Sequence, residues 1–110
     1  MAQTEKINKT VRLLVAALAK NGAKVERIML YGSHSKRRAT EASDIDIAVF
    51  SPYFERKNIF QRQAFLGKIK WEIGQPIDPL GYTLKEFEKS LPGTFLSEIK
   101  RTGKVVYRKK

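Results

Sequence analysis

The sequence predicts an α/β fold, a small mixed β-sheet flanked by helices, and three observations carry that prediction. Apolar residues recur at helical spacing in several stretches, short β-branched runs stand between those stretches, and Gly, Pro or Asn punctuates the junctions. No Ser/Gly-rich or Pro-rich segment divides the 110 residues, and there is no internal repeat, so residues 1–110 read as a single domain with one core.

The elements follow in order. Ile7, Val11, Leu14, Val15 and Leu18 form one apolar stripe after Thr4, and Asn21-Gly22 stops it, so the chain opens with an amphipathic helix. Val25 to Tyr31 is β-branched and apolar and runs into Gly32-Ser33, which reads as a strand entering a turn. His34 to Arg38 reads as the first turns of a short helix. Asp44 to Phe50 alternates as a second strand until Ser51-Pro52. From about Asn58, the spacing of Ile59, Leu66, Ile69 and Ile73 predicts a longer helix that ends at Gly74-Gln75-Pro76. Ile77 to Tyr82 is a short third strand, and Thr83 with Glu86 makes a capping box for the next helix. Leu91-Pro92-Gly93 breaks that helix. Thr94 to Thr102 forms a last one, with Phe95, Leu96 and Ile99 expected on its buried side and Gly103 closing it. Val105 to Tyr107 then adds a short edge strand.

Composition removes several kinds of chemistry. There is no cysteine, which excludes disulfides, thiolate metal sites and a thiol nucleophile, and the single histidine, His34, cannot build a zinc site alone. No apolar run is long enough to cross a bilayer and Met1 to Lys9 is polar, so the expected compartment is the cytoplasm, with no membrane contact. The 22 Lys and Arg against 11 Asp and Glu give a net charge of +11, which draws the chain to polyanions or to an acidic partner. The same lysines also serve simply as a solvated surface.

The residues that carry chemistry are Tyr31-Gly32-Ser33 and, eleven positions after the serine, Asp44-Ile45-Asp46. On a strand, residues two apart share a face, so Asp44 and Asp46 project together while Ile45, Ile47 and Val49 face the other way. Two carboxylates held close repel each other unless a cation offsets the charge. Mg²⁺ suits them, being a hard ion that takes one or two carboxylates, phosphate oxygens and water. A glycine at a strand-to-helix turn lets the backbone approach a phosphate, and the Ser33 hydroxyl and nearby amides can donate to it.

Taken together these residues resemble the signature of the nucleotidyltransferases typified by DNA polymerase β. Within that superfamily the chain is similar, over nearly its whole length, to the minimal nucleotidyltransferases paired with an HEPN-domain protein in toxin–antitoxin modules. The family pattern is Gly-Ser, a variable stretch, Asp-x-Asp on the next strand and a third carboxylate on the strand after; here these fall on Gly32, Ser33, Asp44, Asp46 and Asp78. The closing run from Glu98 to Tyr107 also matches the family ending.

The resemblance implies a polymerase beta-like fold and Mg²⁺-dependent transfer of a nucleoside monophosphate, AMP from ATP in the first instance. Asp44 and Asp46 would bind Mg²⁺, and Ser33 would hold the triphosphate. Asp78 would complete the metal site and help deprotonate the acceptor hydroxyl. That acceptor would be a tyrosine of an HEPN-type toxin, which makes the chain the antitoxin, or an RNA 3′ end. Two positions depart from the pattern: Lys36 stands where an arginine is usual, and Arg37 where a second glycine is usual. Lysine keeps the charge but not the planar fork. A module whose nucleotide site is idle and which neutralises a partner by docking is therefore the second class of function, and a plain RNA-binding domain the third.

Other residues have duller expectations. Glu72 is a weaker substitute for Asp78, and His34 is an exposed turn histidine or a substrate contact. Trp71, Phe60 and Phe65 are expected in the core rather than on a stacking or partner surface, and Tyr53 and Phe54 at the mouth of the site.

Overall fold

The computed structural model describes residues 2–32 and 44–109. The short helix expected at His34 to Arg38, with Ser33, Lys36 and Arg37, lies outside them. In order, the elements are α1 (Ala2–Lys20), β1 (Arg27–Leu30), β2 (Ile45–Phe50), a 3₁₀ turn (Pro52–Phe54), α2 (Ile59–Ile73), β3 (Ile77–Tyr82), α3 (Leu84–Glu88), α4 (Phe95–Thr102) and β4 (Lys104–Arg108). Among the described residues no helix is long and apolar enough to cross a membrane.

Local chemistry fixes most boundaries. Gly22 takes the left-handed conformation, φ +89°, and the Ala23 amide donates back to the Leu18 carbonyl at 2.8 Å, which closes α1. Asn58 caps α2 in a reciprocal box with Gln61, a signal not read from the sequence, while the Thr83–Glu86 box at α3 is the expected one. Gly74 ends α2 in the left-handed region.

The strands make one mixed sheet in the order β3-β2-β1-β4. β1 runs antiparallel to both β2 and β4, and β2 runs parallel to β3, with α2 supplying the crossover that a parallel pair requires. Pro79 is tolerated because β3 is an edge strand.

Helices cover both faces of the sheet. Ile45, Ile47 and Val49 pack with Leu14 and Leu18 of α1 and Leu66 and Ile69 of α2, whereas Ala48 and Phe50 pack with Phe87 of α3 and Ile99 of α4. The alternation of β2 is thus not that of a strand with one wet face; every residue of it except Asp46 is fully buried.

Four expectations need correction. Phe60 and Trp71 are not core: they are 82% and 88% exposed on the outer side of α2. Phe95 is 56% exposed rather than buried. Tyr53 and Phe54 do not reach the site, because they follow the far end of β2. There Phe54 is fully buried and Tyr53 packs on Phe65, ring centroids 4.5 Å apart. Glu72 sits on α2, within 3.4 Å of the Asn21 amide, on the side of the sheet opposite Asp46.

Phe54 fits only because position 81 has no side chain: a Cβ on Gly81 would lie 2.8 Å from the Phe54 ring. Gly81→Ala should therefore overpack this corner and lower stability by about 1–3 kcal/mol, read as a fall in the urea midpoint.

Candidate active site

Three strand ends converge on one edge of the sheet: the C-terminal end of β1 and the N-terminal ends of β2 and β3. The Tyr31 amide extends the β1–β2 ladder by donating to the Asp46 carbonyl at 3.1 Å, and the Ile45 amide donates to the Pro76 carbonyl at 2.8 Å. These bonds hold the edge rigid where the chemistry-bearing residues stand.

Asp46 is the one polar residue inside β2, and its register partner on β3 is Asp78. In a parallel pair, residues in register share a face and lie roughly 5 Å apart, so the two carboxylates stand side by side. Asp44, two positions before Asp46, precedes the strand and is exposed. Ile45 and Ile77, in register between them, point the other way into the α1–α2 core.

Gly32 crosses directly over Asp46. Its φ is +69°, and a Cβ placed there would lie 2.5 Å from Asp46 Oδ2. Only glycine both adopts this turn without strain and leaves room for the carboxylate. Gly32→Ala should cost about 1–2 kcal/mol from the left-handed backbone alone, plus the displacement of Asp46. A melting temperature within a degree of the parent protein would count against this close approach.

Tyr31 was not assigned a role from the sequence, although the aromatic residue before the glycine was the available signal. Burial pushes its phenol well above the ordinary tyrosine range, and the charges of Asp46 and then Asp78 push it further. The phenol therefore stays protonated beside the carboxylates, as a donor rather than a base. Phe95 meets the Tyr31 ring edge to face at 5.5 Å, and with Gly32, Glu98, Ile99 and Thr102 the pair lines a groove of about 160 Å³.

Among the described residues, no three His, Cys, Asp or Glu side chains are gathered closely enough to form an all-protein cage for a metal ion. Two adjacent carboxylates at a half-open edge fit Mg²⁺ nevertheless, since that ion keeps several waters and completes its shell from substrate phosphates. Such a donor set does not suit a closed tetrahedral zinc site.

The comparisons bear on the family and the fold. A family model described as "Polymerase beta, Nucleotidyltransferase" matches residues 14–110. Among solved structures, a proposed nucleotidyltransferase of Sulfolobus solfataricus superposes with a TM-score of 0.70 at 17% identity, covering 98% of this chain and 87% of that one. A toxin–antitoxin complex with AMP-PNP gives a TM-score of 0.61 at 21% identity, covering 90% and 73%. A mutant MntA–HpeT toxin–antitoxin complex gives 0.56 at 24%, covering 94% and 72%. No curated protein sequence matches significantly.

Proposed function

The chain belongs to the polymerase beta nucleotidyltransferase family, and on that premise we propose that it transfers a nucleoside monophosphate, AMP from ATP in the first instance, to an acceptor hydroxyl with Mg²⁺. The observation that carries this reading is the side-by-side placement of Asp46 and Asp78 directly beneath the Gly32 turn.

Each residue then has a task. Asp44 and Asp46 would hold Mg²⁺, with Asp78 closing the set from the neighbouring strand. The ion, when bound, would neutralise charge developing on the phosphate oxygens. Gly32 admits the triphosphate close to the backbone, Ser33 donates to it, and Lys36 attracts it. The acceptor oxygen bonds to the α-phosphorus while the bond from that phosphorus to the bridging oxygen breaks; pyrophosphate leaves, and the acceptor proton passes to Asp78.

For the acceptor we favour a hydroxyl on a partner protein, an HEPN-type toxin, which would make this chain its antitoxin. Two of the similar solved structures are toxin–antitoxin complexes, one of them with a nucleoside triphosphate analogue, and this supports the choice. The net charge of +11 suits an RNA 3′ end as the competing acceptor.

The test is to incubate the chain with Mg²⁺, α-labelled ATP, the product of the neighbouring gene and total RNA, beside an Asp44→Ala/Asp46→Ala control. Label on the partner protein that vanishes in the control supports the proposal. Label confined to RNA moves the acceptor, and label on neither, with the wild-type chain folded, overturns transfer altogether.

A further inference from the structure

The outer face of α2 is apolar, although its inner face already packs in the core. Leu66 and Ile69 point inward and are buried. At 100° per residue, Phe60, Ala64, Gly67 and Trp71 form a second stripe on the opposite side of the helix, and all four are exposed. Large apolar side chains left this exposed and aligned on one stripe mark contact surfaces more often than scattered ones do: Phe60 is 82% and Trp71 88% exposed. Beside Trp71 the surface dips into a hollow of about 490 Å³ lined by Gly67, Lys70, Trp71, Gly74, Gln75 and Pro76. The stripe runs about 16 Å along the helix, counting 1.5 Å per residue from Phe60 to Trp71.

We propose that this stripe is the docking surface for a partner protein that presents an apolar helix face bordered by acidic side chains. Two aromatic anchors separated by Ala64 and Gly67 leave a channel in which another backbone can lie close, with spacing that matches a helix laid along α2. Lys68 and Lys70 flank the stripe on either side and are exposed, so the border favours carboxylates. A second copy of this chain is disfavoured, since two surfaces of chains carrying +11 repel. Single-stranded nucleic acid needs a charged groove with aromatics spaced for consecutive bases, not two rings this far apart. The surface lies on the face of the sheet opposite Asp46, so a docked partner leaves the acidic edge open. The inference does not rest on the transfer chemistry.

Trp71 is the only tryptophan, so its emission reports directly on this face. The full chain is titrated with a synthetic amphipathic helical peptide carrying leucines bordered by glutamates, with the same peptide bearing lysines instead, and with a single-stranded oligonucleotide; the chain alone is diluted in parallel. A blue shift with the acidic peptide only, weakened about tenfold by Phe60→Ser or Gly67→Gln, is the expected result. Circular dichroism of those variants confirms that they are folded. The proposal is overturned by an equal response to the lysine peptide, a shift with the oligonucleotide, a concentration-dependent shift of the chain alone, or no shift at all.

Discussion

Asp46→Asn should lower nucleotide transfer by about 10³-fold while the protein remains folded, because the substitution keeps the shape of the side chain and removes its charge. A metal acting as Lewis acid contributes several kcal/mol of transition-state stabilisation, and each 1.4 kcal/mol is about tenfold in rate. Asp46 is the carboxylate that Gly32 covers and that stands in register with Asp78, so it has the least freedom to be replaced by water. Asp44 is exposed before the strand begins, and Asp44→Asn should cost less, about 10–100-fold. Initial rates measured over a Mg²⁺ titration separate a ligand from a merely structural residue: a weakened ligand set shifts the half-saturating Mg²⁺ concentration upward. Unchanged rates in Asp46→Asn would remove the carboxylate pair from the mechanism.

The local grammar of the fold was legible. The stripe of α1, the Thr83 capping box, the stops at Gly22 and Gly74 and the edge strand β4 all stand where residue spacing put them. What the spacing did not reveal was which partner each face would meet. Phe60 and Trp71 read as core because they are apolar and helical, yet α2 carries two apolar stripes and only tertiary packing selects the inner one. β2 read as an alternating strand, although the unbroken apolar run from Ile47 to Phe50 is the mark of a strand covered on both faces; it did not say that α3 and α4 cover Ala48 and Phe50. Within the site, the two-residue spacing of Asp44 and Asp46 predicts a shared strand face, whereas β2 begins at Ile45 and Asp44 stands just before it. The pairing of Asp46 with Asp78 depends on the parallel register of two strands joined through α2, and a slip of one residue would have turned Asp78 to the other face.

Arg62→Ala is expected to be as destabilising as truncating a buried aromatic residue, about 3–5 kcal/mol out of a total that for domains of this kind is roughly 5–15 kcal/mol. The guanidinium ties α2 to three other pieces of chain: the turn from Phe54 to Lys57, β3 and α3. Its Nε donates to the Lys57 carbonyl at 2.9 Å, one Nη donates to the Phe54 carbonyl at 2.8 Å, and the other donates to the Gly81 carbonyl at 3.1 Å and to Glu86 Oε1 at 2.8 Å. Its side chain is only 12% exposed, so water cannot readily take over these acceptors once it is removed. Arg62→Lys should recover little, because one ammonium cannot reach four acceptors set out for a planar fork. Burial alone would raise the Glu86 carboxyl, but the hydrogen bond from Arg62 and the Thr83 amide outweigh it, and the net shift is downward from 4.5. A carboxyl with a lowered folded pKa contributes stability that is fully present above its ordinary value and is lost as the pH falls through the folded one. Thermal melts from pH 7 to pH 3 should therefore show an acid-side loss in the parent protein. That part of the slope should be shallower in Arg62→Ala, whose melting temperature at pH 7 is already lower by about 15 °C or more. Glu86→Gln leaves the three carbonyl bonds in place and removes a group that is 43% exposed, so it should flatten the same slope at a much smaller loss of stability. Equal destabilisation by the two variants would mean that the ion pair, and not the carbonyl bonds, holds this corner together.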